Sequence, residues 1–234
     1  MTGPSLAGRT AIITGASRGI GRAIATAFSE AGARLTLLAR EARPLEELAD
    51  VLGARAVVCD IGNIIDCERT LLAISDSPDI IINNAGLFEP MPLEETTPGS
   101  FEAALNVNLA APFRFISALL PAMRKRGRGD IVSIGSIADH TAFPGNAAYG
   151  ASKHGLRALH EVMRTELRGT GVRVTLVSPG PVDTSLWDDI DPDSRQGFTP
   201  RAKMLSPNAV AAAVLFAVSQ PREVDIELVR LSRS

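Results

Sequence analysis

A tyrosine and a lysine stand four residues apart in the stretch YGASK at residues 149–153, and Tyr149 is the only tyrosine of the chain. On a helix, residues i and i+4 share one face about 5–6 Å apart, so both side chains would point into the same space. A phenol ordinarily has a pKa of about 10, and the ammonium group of Lys153 would lower that pKa by favouring the phenolate. The pair indicates acid–base chemistry.

A glycine-rich turn, TGASRGIG at residues 14–21, follows the first apolar run and precedes an amphipathic segment. Glycines at such a junction let the backbone approach a phosphate at the helix N-terminus. The spacing is G-x-x-x-G-x-G, which departs from the G-x-G-x-x-G fingerprint, so the glycines alone would also fit a purely structural turn. The order of strand, turn and helix favours a dinucleotide-binding site.

The residues that follow the second apolar run indicate which dinucleotide is bound. An acidic residue expected there to hold a ribose 2′-hydroxyl is missing, and Ala39 and Arg40 occupy the place. A guanidinium group can bind a 2′-phosphate through paired charge-assisted hydrogen bonds, and Arg18 in the glycine turn could reach the same phosphate. Unless both arginines are merely solvated, the sequence predicts NADP(H) in preference to NAD(H).

Short apolar segments alternate with helical periodicity along the whole chain. Strands are predicted at residues 9–14, 34–40, 55–60, 79–86, 129–136, 172–180 and 223–231. Their nearly continuous apolar character is typical of strands buried on both faces of a parallel sheet. Helices are predicted at residues 21–31, 44–52, 64–74, 101–126, 148–169 and 207–219, the last with Ser206 as N-cap and Pro207 in its first turn. The alternation predicts a single α/β domain over residues 1–234, with a doubly wound, mainly parallel seven-stranded sheet and helices on both faces.

Composition argues against several other classes of protein. A net charge of −2 and a pI near 6.0 give no reason to expect a nucleic acid as partner. The N-terminus does not resemble a signal peptide and no stretch approaches 18 uninterrupted apolar residues, so no membrane association is predicted. Cys59 and Cys67 then favour a reduced, cytoplasmic protein. The two cysteines and three histidines do not form a plausible metal site.

Four further motifs occur in order along the chain: NNAG at residues 83–86, IGS at 134–136, YGASK at 149–153 and SPG at 178–180. Together with the glycine turn they resemble the one-domain branch of the short-chain dehydrogenase/reductase family, over about residues 9–231, and imply a Rossmann-type sheet. The resemblance implies that Tyr149 exchanges a proton with the substrate oxygen, that Ser136 binds that oxygen, and that Lys153 holds the nicotinamide ribose. Asn108 matches the fourth member of the catalytic set, which shapes the active-site helix and a water-linked proton path, with Asn106 as the alternative.

The same resemblance implies a set of cofactor contacts along the carboxyl ends of the strands. They are Gly15, Ser17, Arg18, Gly19, Ile20, Gly21, Arg40, Asp60, Ile61, Asn83, Ala85, Gly86, Tyr149, Lys153, Pro179, Gly180, Val182 and Thr184. Asn83 and Asn84 could instead only tie two strand ends together. The expected reaction is a reversible hydride transfer between NADP(H) and a carbonyl compound or secondary alcohol, with reduction as the expected direction.

Substrate contacts are expected from the loop at residues 183–205 and from the loops after the fourth and fifth strands. The principal candidates for an apolar pocket are Ile137, Phe143, Leu186 and Trp187, joined by Leu87, Phe88 and Phe198. They favour an apolar ketone or aldehyde of medium size. His140, four residues after Ser136, is a minor candidate for a substrate contact.

Several alternatives stay open at the level of sequence. The C-terminal stretch lacks the glycine-rich tail of acyl-carrier-protein ketoreductases, which favours the carbonyl-reductase-like members, although RKRGR at residues 124–128 could bind a carrier protein. A non-catalytic NADP-binding regulator is a second alternative. A third alternative, an epimerase or dehydratase of the family's extended branch, would need a larger C-terminal substrate domain than the residues after Gly180 supply. Helices 101–126 and 148–169 resemble the family's dimer surface, so a homodimer or homotetramer is expected.

Overall fold

The computed structural model describes residues 4–74 and 77–234, so residues 1–3, 75 and 76 of the predicted domain lie outside the described part. The strands are β1 (Thr10–Thr14), β2 (Arg34–Ala39), β3 (Arg55–Val58), β4 (Ile80–Asn83), β5 (Gly129–Ile134), β6 (Val172–Pro179) and β7 (Leu228–Leu231). In the described residues they form one parallel seven-stranded sheet with the order β3-β2-β1-β4-β5-β6-β7. The predicted doubly wound sheet is confirmed, and the chain reverses its direction of winding between β1 and β4.

Helices cover both faces of this sheet. They are α1 (Gly19–Glu30), α2 (Ala42–Leu52), α3 (Ile64–Ala73), α4 (Pro98–Leu105), α5 (Ala111–Arg126), α6 (Ala147–Glu166) and α7 (Pro207–Ser219). Successive strand residues point to opposite faces, so Ile13 packs beneath α1, α2 and α7, while Ile12 packs with α3, α5 and α6. This explains why the strand sequences are apolar at nearly every position.

The helix predicted at residues 101–126 is present, but it begins earlier, at Pro98, and contains a π-helical turn. α4 begins at Pro98, with the side chain of Thr97 accepting a hydrogen bond from the Ser100 backbone N–H, and a π-helical turn at Asn106–Ala110 separates it from α5. The wider turn places the buried Asn108 side chain against Leu87 and Ser152. Such π-turns are frequent at functional sites, and this one brings the helix into contact with the loop after β4.

The helical stretch Pro98–Arg126 is long and apolar enough to cross a membrane by length and composition. Its apolar residues nevertheless serve a different purpose in this fold. Phe115, Ile116, Leu119 and Met123 are buried against the sheet together with Ile131 and Val174. The stretch is a core helix of the α/β domain.

Three arginines surround one buried carboxylate at the edge where the strands begin. Arg173 donates to Asp130 through Nε at 2.6 Å, Arg9 pairs with the other oxygen of Asp130, and Arg222 lies 3.6 Å away. Arg173 and Arg9 also donate to the Val218 carbonyl oxygen, at the C-terminal end of α7. Positive charge at a helix C-terminus is favourable, so this cluster ties α7 to the sheet.

Candidate active site

A cavity of about 990 Å³ opens along the edge where the strands end. Residues that follow β3, β2, β1, β4, β5 and β6 line it in the order of the sheet, from Asp60 and Arg40 past Gly15 and Gly86 to Ser136 and Gly180. In open α/β sheets, ligands bind outside the carboxyl ends of the strands at the point where the strand order reverses. The predicted cofactor and substrate positions therefore meet in one elongated space.

The glycine turn forms the middle of the cavity floor. Gly15 has a φ of +65°, and a Cβ atom there would lie 2.8 Å from the Ala85 Cα atom, so the position requires glycine. Asn84 fixes the turn by donating to the carbonyl oxygens of Thr14 at 2.8 Å and Gly15 at 3.1 Å. The turn thus presents the start of α1 to the cavity.

The start of α1 is suited to an anion. Within the described residues, no side chain caps this helix and no acidic residue lies in its first turn. The first backbone N–H groups of a helix have no partners inside the helix, and its N-terminus carries partial positive charge. An uncapped N-terminus beneath Ser17, Arg18 and Gly19, which line the cavity, fits the pyrophosphate of a dinucleotide.

Two of the expected cofactor positions do not reach the cavity. A Cβ atom at Gly21 would lie 2.2 Å from the Gly15 carbonyl oxygen, so Gly21 packs α1 against the turn and does not line the wall. The Asn83 side chain is 4% exposed and its Nδ2 donates to Ser133 Oγ at 3.5 Å. Its neighbour Asn84 lines the cavity instead. A sequence pattern that places both residues in one motif does not show which of them faces the ligand.

Both arginines expected at the adenosine end line the cavity, as does a residue that sequence reasoning missed. Glu41, directly after Arg40, lies with its Oε1 atom 3.6 Å from Arg18 Nη1, and both side chains are more than half exposed. Asp60 also lines this end, and its Oδ1 accepts a hydrogen bond from the Gly62 backbone N–H at 3.0 Å. Its position just beyond the end of β2 could have identified Glu41 as a cavity residue from the sequence.

Ser136, Tyr149 and Lys153 converge at the other end of the cavity. Lys153 Nζ lies 5.6 Å from the centroid of the Tyr149 ring and donates to the Ile134 carbonyl oxygen at 2.8 Å. Ser136 begins a short 3₁₀ turn, Ile137–Asp139, and its Oγ accepts a hydrogen bond from the Ala138 backbone N–H at 3.1 Å. The predicted pairing of Tyr149 with Lys153 on one helix face agrees with this geometry.

Burial dominates the acid–base properties of this pair. The pKa of Tyr149 is raised to about 12: desolvation raises it most, the hydrogen bond with Ser136 lowers it, and the negative charge of Asp139 also raises it. The pKa of Lys153 is lowered to about 8 by desolvation, against the opposing effect of Asp139. In the protein alone the phenol thus has a raised pKa and not the expected lowered one, because burial penalises the charged phenolate. Tyr149 rests in the protonated form, ready to donate.

Asn108 acts through its neighbours. Its Oδ1 accepts from the Leu87 backbone N–H at 2.8 Å, and its Nδ2 donates to the Leu87 carbonyl oxygen at 2.9 Å and to Ser152 Oγ at 2.9 Å. The buried amide therefore joins the loop after β4 to α6, one residue before Lys153. Asn106, the alternative candidate, lines the cavity on the same π-turn.

Aromatic side chains form the wall beside Tyr149. The ring of Phe88 lies edge-on to Tyr149 with 4.8 Å between centroids and to Trp187 with 5.2 Å, and Trp187 meets Phe198 at 6.1 Å. Trp187 Nε1 donates to the Val182 carbonyl oxygen at 2.9 Å. The expected substrate residues line this end together with Thr184: Leu87, Ile137, Phe143 and Leu186. His140 instead points to Asp139, with 2.6 Å between Nδ1 and Oδ1, and is not part of the lining.

Known proteins that resemble this chain in sequence and in fold agree with this arrangement of the site. The sequence profile of the short chain dehydrogenase family matches residues 9–195. The chain belongs to this family. It is 34% identical over 228 residues to an uncharacterised oxidoreductase of Staphylococcus saprophyticus, an alignment that covers 93% of each protein.

Solved structures of two dehydrogenases resemble this one over nearly their whole length. One is a protein of Beutenbergia cavernae, provisionally named an NAD(P)-dependent gluconate 5-dehydrogenase, with NADP bound at low occupancy; it is 33% identical with a TM-score of 0.88 and 97% of each chain covered. Another is an alcohol dehydrogenase of Thermococcus sibiricus in complex with 5-hydroxy-NADP, 31% identical with a TM-score of 0.82 and 95% of each chain covered. As a short chain dehydrogenase, this chain is an oxidoreductase of a family that binds nicotinamide cofactors.

Proposed function

We propose that this short chain dehydrogenase is an NADP(H)-dependent reductase of apolar ketones or aldehydes, acting reversibly on the corresponding secondary or primary alcohols. One observation carries the proposal. Ser136, Tyr149 and Lys153 meet at the aromatic end of a cavity whose other end contains Arg40, with the uncapped start of α1 between them. This is the order in which a carbonyl substrate, a nicotinamide, a pyrophosphate and an adenosine phosphate would lie.

The protein's part in the reaction follows from the hydrogen bonds at the catalytic end. When bound, the cofactor supplies the hydride that reaches the carbonyl carbon. Ser136 lines the cavity beside Tyr149, and its hydroxyl hydrogen can turn from the Tyr149 oxygen to the carbonyl oxygen of the substrate. Tyr149 donates its phenolic proton to that oxygen as negative charge develops there. Lys153, beside the ring of Tyr149, stabilises the resulting phenolate and in the reverse direction helps Tyr149 accept the proton.

The proposed preference for NADP(H) rests on charge at the adenosine end. Arg40 follows β2 and lines the cavity, and Arg18 lines it from the glycine turn. Glu41 could accept a hydrogen bond from a ribose 2′-hydroxyl and would then favour NAD(H). Its ion pair with Arg18 offsets its charge, however, and leaves Arg40 to bind a 2′-phosphate.

The proposed substrate class follows from the wall around Ser136 and Tyr149. Phe88, Trp187 and Phe198 give this end an apolar surface. Among the described lining residues, the basic ones are Arg18, Arg40 and Lys153, and all three lie where the cofactor is expected. A substrate carboxylate such as that of gluconate would therefore lack a cationic partner beyond Lys153. An uncharged carbonyl compound with an apolar substituent is the better fit.

The direct test is a screen of NADPH oxidation with uncharged aryl and alkyl ketones, aldehydes, 2-oxo acids and β-ketoacyl thioesters. We expect turnover of the uncharged ketones or aldehydes, at higher kcat/KM with NADPH than with NADH. A preference for the 2-oxo acids would contradict the substrate class, and equal efficiency with both cofactors would contradict the role of Arg40. Tight NADPH binding without turnover of any compound would favour a regulator.

The carrier-protein alternative receives no support from the position of RKRGR. Arg126 donates to the carbonyl oxygens of Ser77 and Pro78, and Arg128 lies 3.7 Å from Asp79, at the edge where the strands begin. This is the edge opposite the cavity. A carrier protein docked there would not face the entrance to the catalytic residues.

The proposal includes self-association and a cytoplasmic location. Phe113 on α5 and Val162 on α6 are 54% and 52% exposed, and Phe216 on α7 is also exposed. Burying such side chains between copies would remove apolar surface from water, which supports a homodimer or homotetramer. Light scattering coupled to gel filtration should then give a mass of two or four chains, and a monomer at micromolar concentration would contradict it.

A further inference from the structure

A buried carboxylate lies directly behind the catalytic serine. Asp139 is 1% exposed and ends the 3₁₀ turn that Ser136 begins. Its Oδ2 accepts from the Ser136 backbone N–H at 3.2 Å and from the Ser178 hydroxyl, and its Oδ1 lies 2.6 Å from His140 Nδ1. Both oxygens of this buried carboxyl group therefore have polar partners inside the protein.

The fold leaves room for this carboxylate. A Cβ atom at Gly135 would lie 2.5 Å from Asp139 Oδ2 and 2.8 Å from Ser178 Oγ. Real Cβ atoms do not approach that closely, so a side chain at residue 135 would displace the carboxylate or the hydroxyl. Gly135 thus permits Asp139 to enter the space between the ends of β5 and β6.

The polar groups around Asp139 come from three elements. His140 belongs to its own turn, and β6 contributes the uncharged hydroxyl of Ser178. On α6, Lys153 Nζ donates to the Ile134 carbonyl oxygen, two residues before the Ser136 N–H that Asp139 accepts, and lies 5.6 Å from the centroid of the Tyr149 ring. The negative charge of Asp139 raises the pKa of Tyr149 and also that of Lys153. In both cases the protonated form is favoured, because a nearby anion stabilises the ammonium group and opposes the phenolate.

We propose that Asp139 is a positioning residue that orients Ser136 through its backbone N–H and serves as the counter-charge of the Tyr149–Lys153 pair. Through Ser136 it holds the donor to the substrate oxygen, and through its charge it extends the pH range in which Tyr149 can donate a proton. The kinetic consequence rests on the proposed function. The electrostatic consequence does not, since it concerns the ionisation of Tyr149 in the protein itself.

The charge can be tested without any substrate. Because Tyr149 is the only tyrosine, the ultraviolet absorbance of phenolate reports this side chain alone during an alkaline titration. In Asp139→Asn the Oδ1 atom can still accept from the Ser136 N–H, but the charge is gone. We expect its phenolate midpoint to fall by roughly 0.5–1 pH unit relative to the unaltered protein. Tyr149→Phe, which has no phenol, supplies the blank.

An unchanged midpoint in a folded Asp139→Asn protein would overturn the electrostatic part of the proposal. Circular dichroism checks that the fold is retained across the titration. Should Asp139→Asn not fold, Asp139→Ser removes the same charge with a smaller side chain, and the same fall in midpoint is expected. A midpoint that rises in either variant would also contradict the proposal.

The kinetic arm uses the pH dependence of alcohol oxidation, which requires the phenolate of Tyr149. In Asp139→Asn the rising limb of kcat/KM should move to lower pH by the same amount, and kcat should fall because Ser136 is held less firmly. Ser178→Ala is the matched control: it removes one donor to Asp139 but keeps the charge, so the limb should not move.

A lower kcat with an unmoved limb in Asp139→Asn would reduce Asp139 to a structural role. If no substrate is turned over by any form while the absorbance midpoint still shifts, the proposed function fails and the electrostatic role of Asp139 stands.

Discussion

The two edges of the sheet differ in how their polar groups find hydrogen-bond partners. Where the strands begin, Asp130 is enclosed by Arg9 and Arg173, and Arg173 Nη1 also donates to the carbonyl oxygens of Gln220, Pro221 and Val224. Where the strands end, the start of α1 is uncapped among the described residues, and Ser136 and Tyr149 line the cavity. At the first edge the protein supplies the partners. At the second, hydrogen-bonding capacity is left for a ligand.

This difference teaches how to separate stabilising charges from functional ones. A buried ion pair repays its desolvation only when additional hydrogen bonds satisfy both partners, which is the situation of Arg173. A buried cation with a strongly lowered pKa and a cavity in front of it, such as Lys153, instead indicates a functional site. Four substitutions test this contrast.

The largest effect is expected from Tyr149→Phe. The change removes one oxygen that faces the cavity, so the rate of NADPH-dependent reduction should fall by roughly 10²–10⁴-fold, the usual contribution of a general acid. Chemical denaturation should show little change in the free energy of unfolding. Titration calorimetry should show that NADPH binds with similar affinity. Turnover that persists undiminished would remove Tyr149 from the mechanism.

Arg173→Met tests the opposite edge. It removes the guanidinium group that binds Asp130 Oδ1 and leaves four carbonyl oxygens without this donor, so the free energy of unfolding should fall by roughly 3–5 kcal/mol in denaturant titrations. The rate per folded molecule should stay within about twofold of the original, since Arg173 does not line the cavity. Arg222→Met is the control, because Arg222 is far more exposed and lies 3.6 Å from Asp130; its cost should stay within about 1 kcal/mol. Equal costs for both arginines would contradict the importance of burial.

His160 on α6 should make the stability of the fold depend on pH. Its Nε2 lies 3.1 Å from the Glu227 carbonyl oxygen and its Nδ1 is buried without a partner in the described structure, and desolvation lowers its pKa from 6.5 to about 4. Between these values the unfolded chain binds a proton that the folded protein does not, so stability should decrease as pH falls from 6.5 towards 4, by up to about 3 kcal/mol. His160→Gln, unfolded in denaturant at several pH values, should lose this component. A variant that retains the full slope would assign it to other groups.

Arg40→Ala should have the smallest of these effects and one confined to the cofactor. Loss of a charge-assisted hydrogen bond to a 2′-phosphate should raise the KM for NADPH about tenfold while the KM for NADH hardly changes. Arg43→Ala is the matched control, because Arg43 pairs with Glu47 on the exposed side of α2 and is not in the cavity lining. A parallel rise for both cofactors in Arg40→Ala would argue that Arg40 only supports the local structure.

Local patterns in the sequence sufficed where structure depends on neighbours along the chain. α7 occupies the predicted residues 207–219 with Ser206 as its cap, because capping and proline preferences act within one turn. For a similar reason β1 to β6 begin within one residue of their predicted starts, whereas β7 begins at Leu228 and not at residue 223 as predicted. The residues predicted beyond the ends of β4 and β5 form the cavity wall. Tyr149 and Lys153 could be paired because helical spacing alone brings them together.

Partners far apart in sequence could not be found in this way. Ser178 reaches Asp139 across 39 residues, and Arg173 reaches Asp130 across 43. Nothing in the local sequence distinguishes these residues from ordinary polar residues on the surface. The π-turn at Asn106–Ala110 was missed because its helix remains apolar at helical spacing, while the cause lies in the contact of Asn108 with Leu87.

The aromatic wall at the substrate end also contains an intrinsic fluorescent probe. Trp187 is the only tryptophan of the chain and lies against Phe88 and Phe198 in the cavity. Its fluorescence therefore comes from a single place beside the catalytic residues. A reduced nicotinamide absorbs where indole emits, so binding should quench this emission and transfer energy to the nicotinamide. A compound that occupies the aromatic end should shift the emission wavelength, and ligands could then be ranked before any reaction is found.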